Sequence, residues 1–223
     1  MLKALDLLLP VRCAVCGRGE RLLCAACLSA LARLGPPLCD RCGAPTAWPV
    51  ERCAECTGRR LAFRTARAAV AYEGAARALV AGWKERGLRR IAAEAASIVA
   101  AVVERPSADA ITFVPGDLDR TLWRGHATAE QLAGALGALW ELQVVPVLAR
   151  PRRTPRQRGL SRVERRANVR GSFRAVRAPP ARVVLVDDVY TTGATVSAAA
   201  TELRRAGART VDVVTFARAI RSR

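Results

Sequence analysis

A run of four apolar residues leads directly into two adjacent carboxylates, which are followed by hydroxyl side chains and a glycine. The stretch is VVLVDDVYTTGATV, from Val183 to Val196. Backbone amides and hydroxyls in such a loop can bind a phosphate, and a helix that follows adds its positive N-terminal end. Two neighbouring carboxylates suit the vicinal hydroxyls of a sugar or a divalent cation. The combination indicates a ribose that carries a 5′-phosphate, and the alternative is a solvated turn after an edge strand.

Two elements must position this loop. The β-branched run 183–186 predicts a strand buried on both faces, with the two aspartates at its end. After Gly193, the segment ATVSAAATELRRA has apolar residues near helical spacing and predicts a helix. Ligands of open α/β sheets bind at the carboxyl ends of the strands, so the loop has the location expected of a binding site.

The remaining chain alternates strand and helix patterns. Strands are predicted at 61–72, 108–116, 143–148 and 210–217, and helices at 74–103, broken near Gly87, and at 128–142. Thr128 and Gln131 have the spacing of a capping box, and Gly207 is a candidate C-cap. The alternation predicts an α/β fold with a mostly parallel sheet and helices on both faces.

Eight cysteines, all in the first quarter of the chain, form four C-x-x-C pairs. Such pairs predict two tetrahedral zinc sites with four thiolate ligands each. Disulfides are the alternative, but nothing in the sequence indicates secretion. The short gap between the first two pairs favours sequential pairing over a cross-braced arrangement. The candidate ligands are Cys13, Cys16, Cys24, Cys27, Cys39, Cys42, Cys53 and Cys56.

The cysteine pattern divides the chain into a double zinc-ribbon module at 1–60 and an α/β domain at 61–223. The module is too small to form a core of its own, so the metal is expected to hold it together. Its role is either purely structural or the binding of nucleic acid or protein.

The chain is strongly basic, with a formal net charge of +18. Residues 149–182 carry twelve arginines and one acid, whereas residues 111–148 have a net charge of −2. This contrast predicts a polyanionic partner for the arginine-rich segment, such as nucleic acid or a phosphorylated ligand, unless the segment is a solvated loop. The candidate contacts with nucleic acid or pyrophosphate are Arg152, Arg153, Arg156, Arg158, Arg165 and Arg166.

No segment of the sequence has the length and apolarity of a membrane span. The longest candidate, residues 91–103, is too short and contains Glu94. The N-terminal apolar run is interrupted by Asp6 and lacks a cleavage site of small residues, so it is a poor signal peptide. A cytoplasmic protein is expected.

The loop motif and the cysteine pairs together resemble one known family. VLVDDVYTTGAT is similar to the phosphoribosyl-pyrophosphate (PRPP) motif of type I phosphoribosyltransferases, and its tyrosine form most resembles the ComF family. The resemblance covers nearly the whole chain, including the segment RRTPRQRGLSRVERRANVRGSF at 152–173. It departs after Arg124-Gly125, where His126 and Ala127 replace the usual Phe and Asn.

The resemblance implies a type I phosphoribosyltransferase fold behind the zinc module. It implies that PRPP binds with Mg²⁺, the loop holding its 5′-phosphate and the acid pair its ribose hydroxyls. Val114-Pro115 would approach the pyrophosphate, over which segment 150–170 could close. The implied PRPP-binding residues are Val114, Pro115, Asp187, Asp188, Thr191, Thr192, Gly193, Ala194 and Thr195.

The resemblance also implies a role in natural competence, with single-stranded DNA and a helicase-like protein as partners. Two other functions are consistent with the same residues. The chain could be an active phosphoribosyltransferase, although the sequence shows no acceptor site and has a threonine, Thr191, where some purine-salvage enzymes place an aspartate base. It could also be a PRPP-sensing regulator whose contact with DNA is incidental.

Overall fold

The computed structural model describes residues 11–116, 126–150 and 172–220. Strands and helices alternate along most of this length. Their bounds are α1 Ala25–Ser29, β1 Thr65–Ala71, α2 Gly74–Glu85, α3 Ile91–Val102, β2 Ala110–Phe113, α4 Thr128–Trp140, β3 Leu148–Ala149, β4 Arg174–Ala175, β5 Arg182–Tyr190, α5 Ala194–Arg205 and β6 Thr210–Arg218.

A four-stranded parallel sheet, in the order β1-β6-β5-β2, forms the centre of the fold. Strand β5 is interior and is buried on both faces, as its apolar run predicts. Val184 and Val186 pack with helices α2, α3 and α4, whereas Val183 and Leu185 pack with α5. Helices therefore cover both faces, and the predicted α/β class with a mostly parallel sheet is confirmed.

The two aspartates lie inside β5 and not at its end. The strand continues to Tyr190 because Val189 and Tyr190 still pair with Ala217 and Arg218 of β6. The carboxylates therefore project from a hydrogen-bonded strand, which fixes their backbone more firmly than a loop would.

The segment 143–148 is not the continuous strand that was predicted. Val144 forms only an isolated parallel bridge with Ile111, and Leu148 then pairs with Ala175 in a separate two-stranded antiparallel sheet. Pro146 lies between the two and has no N–H group to continue a ladder.

The capping box predicted at Thr128 is wrong. Ala127 is the N-cap of α4, and it makes no side-chain capping hydrogen bond. The Thr128 hydroxyl instead donates to Asp188 Oδ2, and Gln131 Oε1 accepts a hydrogen bond from the Trp83 indole at 2.7 Å. Tertiary partners thus take both side chains that the local pattern assigned to the helix end.

The cysteine-bearing segment packs on the sheet rather than standing apart from it. Cys13 and Cys27 belong to the same core cluster as α2, α3 and α4. Cys39 and Cys56 belong to the core cluster on the opposite face, with α5. The division at residue 60 remains a prediction.

Candidate functional site

A cavity of about 340 Å³ opens at the carboxyl ends of β2 and β5. Several parts of the chain converge there. They are the end of β5 with the loop that follows it, the turn after β2 and the start of α4, together with Tyr72, Lys84 and Arg150. Its lining includes six of the residues that the resemblance implied, namely Val114, Pro115, Asp187, Asp188, Thr191 and Thr195.

The acid pair is electrostatically unequal. Asp188 is buried and forms an ion pair with Lys84, whose Nζ lies 2.7 Å from Oδ1, while Thr128 donates to its other oxygen. Asp187 Oδ1 accepts a hydrogen bond from the Asp188 amide at 2.9 Å. Burial, followed by the charge of Asp188, raises the pKa of Asp187 to about 8. A carboxyl group in this state ionises readily when a cation arrives beside it.

The loop after β5 is shaped by Gly193. This residue has φ +71° and is the N-cap of α5. A Cβ built on it would overlap the Tyr190 hydroxyl, so only glycine fits. Thr191, Thr192 and Thr195 are exposed. Because the first N–H groups of a helix have no partner within it, those that follow Ala194 can bind an anion.

Thr192, Gly193 and Ala194 belong to the same loop but are not among the residues that line the cavity. The Thr192 hydroxyl accepts a hydrogen bond from the Ala194 amide at 3.3 Å. The Gly193 carbonyl oxygen accepts one from the Ser197 amide at 2.9 Å. These three residues therefore set the shape of the loop that presents Thr191 and Thr195.

Several lining residues were not among the binding residues expected from the sequence, in particular Tyr72, Lys84, Thr128 and Arg150. Lys84 comes from α2, about a hundred residues before its partner Asp188. One signal was available, because Lys84 is one of only two lysines in a chain with 37 basic residues. Lys84 and Arg150 give an otherwise acidic cavity two cationic side chains, a combination that suits a polyanion held with a divalent cation.

His126, the single histidine, also lines the cavity. It is 8% exposed, and its Nε2 lies 2.8 Å from the Trp83 carbonyl oxygen. This contact holds the turn before α4 against α2, which places Thr128 near Lys84.

The eight cysteines form two clusters of four. Cys13, Cys16, Cys24 and Cys27 make the first cluster, and Cys39, Cys42, Cys53 and Cys56 make the second; the Sγ atoms of each lie within 4.8 Å of one another. The grouping is sequential, as the spacing favoured.

The geometry of both clusters fits zinc. A tetrahedral zinc site with Zn–S bonds of about 2.3 Å separates its sulfurs by roughly 3.8 Å. Cys16 and Cys24 are 3.8 Å apart, and the second cluster has Sγ–Sγ distances of 3.6, 3.5 and 4.0 Å. Burial and the neighbouring Cys39 thiol raise the pKa of Cys56 to about 11. A bound zinc ion counteracts this rise in pKa because it stabilises the thiolate form of the ligands.

The arginine-rich candidates Arg152, Arg153, Arg156, Arg158, Arg165 and Arg166 lie outside the described residues. Their assignment to nucleic acid or pyrophosphate stays a prediction. In the described part of the chain, none of the helices has the length and apolarity required to cross a lipid bilayer.

A double zinc ribbon joined to a parallel α/β domain defines the class of the molecule. A family model described as "Double zinc ribbon domain" matches residues 4–57. Two relatives named "DNA utilization protein YhgH", from Salmonella typhi and Salmonella typhimurium, are 31% identical over 204 residues, covering 86% of this chain and 88% of theirs.

"Competence protein F" of Haemophilus influenzae is 27% identical over 209 residues, covering 88% of this chain and 90% of its own. A solved structure, the allosteric regulatory enzyme of purine biosynthesis, matches with 25% identity and a TM-score of 0.40, over 56% of this chain and 25% of that one. The chain belongs to the ComF family, whose members named above it matches over most of both chains, and it carries a double zinc ribbon at its N-terminal end.

Proposed function

We propose that the chain binds PRPP, or a similar ribose 5-phosphate ligand, together with Mg²⁺ in the cavity at the end of β5. The observation that carries the proposal is the placement of Asp187 and Asp188 in the same cavity as Thr191 and Thr195. An acid pair beside a helix-capping loop offers both groups that such a ligand needs, a partner for its diol and a partner for its phosphate.

Each part of the ligand has a separate partner in this proposal. The loop 191–195 binds the 5′-phosphate with amide and hydroxyl groups. Asp187 and Asp188 accept hydrogen bonds from the ribose hydroxyls. Val114 and Pro115 approach the pyrophosphate, towards which Lys84 contributes positive charge. Mg²⁺, when bound, screens the charge of the pyrophosphate and stabilises the ionised form of Asp187.

Calorimetry with PRPP, in the presence and absence of Mg²⁺, tests this proposal. Binding is expected with Mg²⁺ and is expected to be lost in Asp187→Asn. Asp109→Asn is a matched control, because Asp109 is paired with Arg182 on the surface instead of lining the cavity. Absence of binding by the wild-type chain at millimolar PRPP would reject the proposed ligand.

We propose further that the chain acts on the cytoplasmic side in DNA uptake, where it handles internalised single-stranded DNA. The names of its relatives, a DNA utilization protein and a competence protein, support this role. The net charge of +18 supports a nucleic-acid partner. Release of pyrophosphate from PRPP when a base is supplied would add transferase activity to this role.

A further inference from the structure

We propose that the second cysteine cluster holds the phosphate-binding loop in position, acting through Arg218, Tyr190 and Arg59 as positioning residues. The proposal rests on the proposed function in so far as the loop binds a phosphate. It gives the second zinc site a role in ligand binding in addition to its role in folding.

The side chain of Arg218, the last residue of β6, forms hydrogen bonds with both C-x-x-C segments of the second cluster. Its side chain is 2% exposed although it carries a full charge. Nη1 donates to the Cys42 carbonyl oxygen at 2.6 Å, and Nη2 donates to the Glu55 carboxylate at 2.8 Å. Nη2 also lies 3.8 Å from Cys42 Sγ. One partner of this buried guanidinium, Cys42, is itself a candidate zinc ligand. The other, Glu55, lies in the sequence between the candidate ligands Cys53 and Cys56. The positions of both partners therefore depend on the metal site.

Tyr190 carries this contact to the loop. Arg218 and Tyr190 are cross-strand partners, and the guanidinium carbon lies 4.4 Å from the centroid of the tyrosine ring. Phe63 packs edge-on against the same ring, with 6.4 Å between the centroids. The tyrosine hydroxyl lies directly beneath Gly193, where a Cβ would overlap it. The ring is thus a buried spacer between the cysteine cluster and the loop.

Arg59 makes a second, more direct connection. It follows the last cysteine by three residues, and its amide donates to the Cys56 carbonyl oxygen at 3.2 Å. Its Nη2 donates to the Thr192 carbonyl oxygen at 2.7 Å. A charge-assisted hydrogen bond from the ribbon therefore fixes one peptide plane of the loop, and with it the direction of the following amide group.

These contacts predict that loop 191–195 is ordered before a phosphate binds. The amides that bind a phosphate must point at it before it arrives, since preorganisation reduces the entropic cost of binding. If the second cluster loses its metal, Cys42 and Glu55 are expected to move together with Arg218. The Tyr190 ring, which packs on Arg218, then no longer holds the loop at Gly193 in place. The first cluster packs on the opposite face of the sheet, and among the described residues no hydrogen bond joins it to loop 191–195.

The test uses the full zinc-loaded chain and compares Arg59→Ala with Arg60→Ala. The matched control replaces the neighbouring arginine, which is exposed. The deciding readout is amide hydrogen exchange across residues 190–196 without ligand, with helix α3 as an internal reference for global stability. We expect faster exchange in Arg59→Ala alone, with two zinc ions retained by both variants, and about tenfold weaker PRPP binding in Arg59→Ala.

A second experiment follows the same amides in Cys53→Ser, which damages only the second cluster, with Cys16→Ser in the first cluster as its control. Exchange across 190–196 is expected to accelerate while α3 remains protected. Unchanged exchange across 190–196 in both Arg59→Ala and Cys53→Ser would overturn the proposal. Failure of the wild-type chain to bind PRPP would reject the proposed ligand. Hydrogen exchange across 190–196 is measured without ligand and would still test whether the second cluster orders the loop, so the two proposals can fail separately.

Discussion

Lys84 Nζ lies 2.7 Å from Asp188 Oδ1 in the lining of the cavity, and this ion pair neutralises one of the two carboxylates of the motif. Among the residues that the structure describes, Asp187 forms no ion pair with a lysine or an arginine. Asp188 is therefore held in place by its ion pair, whereas Asp187 ionises when a cation binds beside it.

Replacing Lys84 by methionine is expected to weaken PRPP binding by about tenfold, because a charge-assisted contact and a positive charge are lost together. The same change is expected to raise the pKa of Asp187 further, since the Lys84 charge now lowers it. Lys84→Arg is the control that keeps the charge. Calorimetry measures the affinity, and equal affinity in the methionine variant would place Lys84 outside the binding site.

The raised pKa of Asp187 predicts pH-dependent ligand binding. Below about pH 8 the carboxyl group is protonated, so binding of Mg²⁺ with PRPP must release a proton. Affinity is therefore expected to increase from pH 6.5 to pH 8.5, and the measured heat is expected to depend on the ionisation enthalpy of the buffer. A pH-independent affinity and a buffer-independent heat would contradict this.

The same shift predicts how stability depends on pH. The native state holds a proton on Asp187 up to about pH 8, whereas the unfolded chain loses it near pH 4, so the contribution of Asp187 to stability decreases as pH rises between these values. Asp187→Asn removes this loss. Its Tm is expected to exceed the wild-type value by roughly 3–6 °C at pH 8.5, and by less at pH 5.

A comparison with Asp109→Asn checks the sign of this prediction. Arg182 holds the pKa of Asp109 below its usual range, so that carboxylate stabilises the native state at pH values above its unfolded pKa. Its replacement is expected to lower Tm at both pH 5 and pH 8.5. A drop of Tm in both variants at pH 8.5 would contradict the raised pKa of Asp187.

Gly193→Ala is expected to destabilise the chain by more than about 2 kcal/mol. Left-handed backbone costs an alanine about 1 kcal/mol, and overlap with the Tyr190 ring adds to that cost. Gly87→Ala separates the two terms, because Gly87 has φ +66° but open space around it. Urea unfolding measures both variants, and equal losses would show that the loop can move away from Tyr190.

Metal analysis is expected to give two zinc ions per chain. Because the clusters are sequential, the double variant Cys13→Ser with Cys39→Ser damages both sites and is expected to lose both ions. The control Cys13→Ser with Cys16→Ser damages one site and is expected to keep one ion. A cross-braced arrangement would give one remaining ion in both double variants.

Single-stranded DNA binding is expected to weaken steeply with salt. Neutralising four arginines of the segment 152–158 is expected to reduce the slope of log K against log salt by up to about 3. The control neutralises four exposed arginines elsewhere in the α/β region, at positions Arg90, Arg105, Arg205 and Arg209. Equal slopes in the two variants would show that the segment is not the DNA-binding surface.

Local patterns identified the parts of the fold that depend on neighbours in sequence. The run 183–186 predicted a strand buried on both faces because every residue in it is apolar. The C-x-x-C pairs predicted the metal clusters because each pair supplies two ligands from one tight turn. The patterns failed where a distant partner competes. Thr128 was assigned to a helix cap, but the buried Asp188 takes its hydroxyl.

The sequence by itself determined the chemistry of this protein: eight thiolates in pairs, two adjacent carboxylates, and a glycine-bearing hydroxyl loop before a helix. Only the tertiary structure decided which charges meet. Strand pairing brings Arg218 beside Tyr190, and helix packing brings Lys84 to Asp188. Neither contact has a fixed spacing along the chain, because register and packing depend on the whole core and not on a local run of residues.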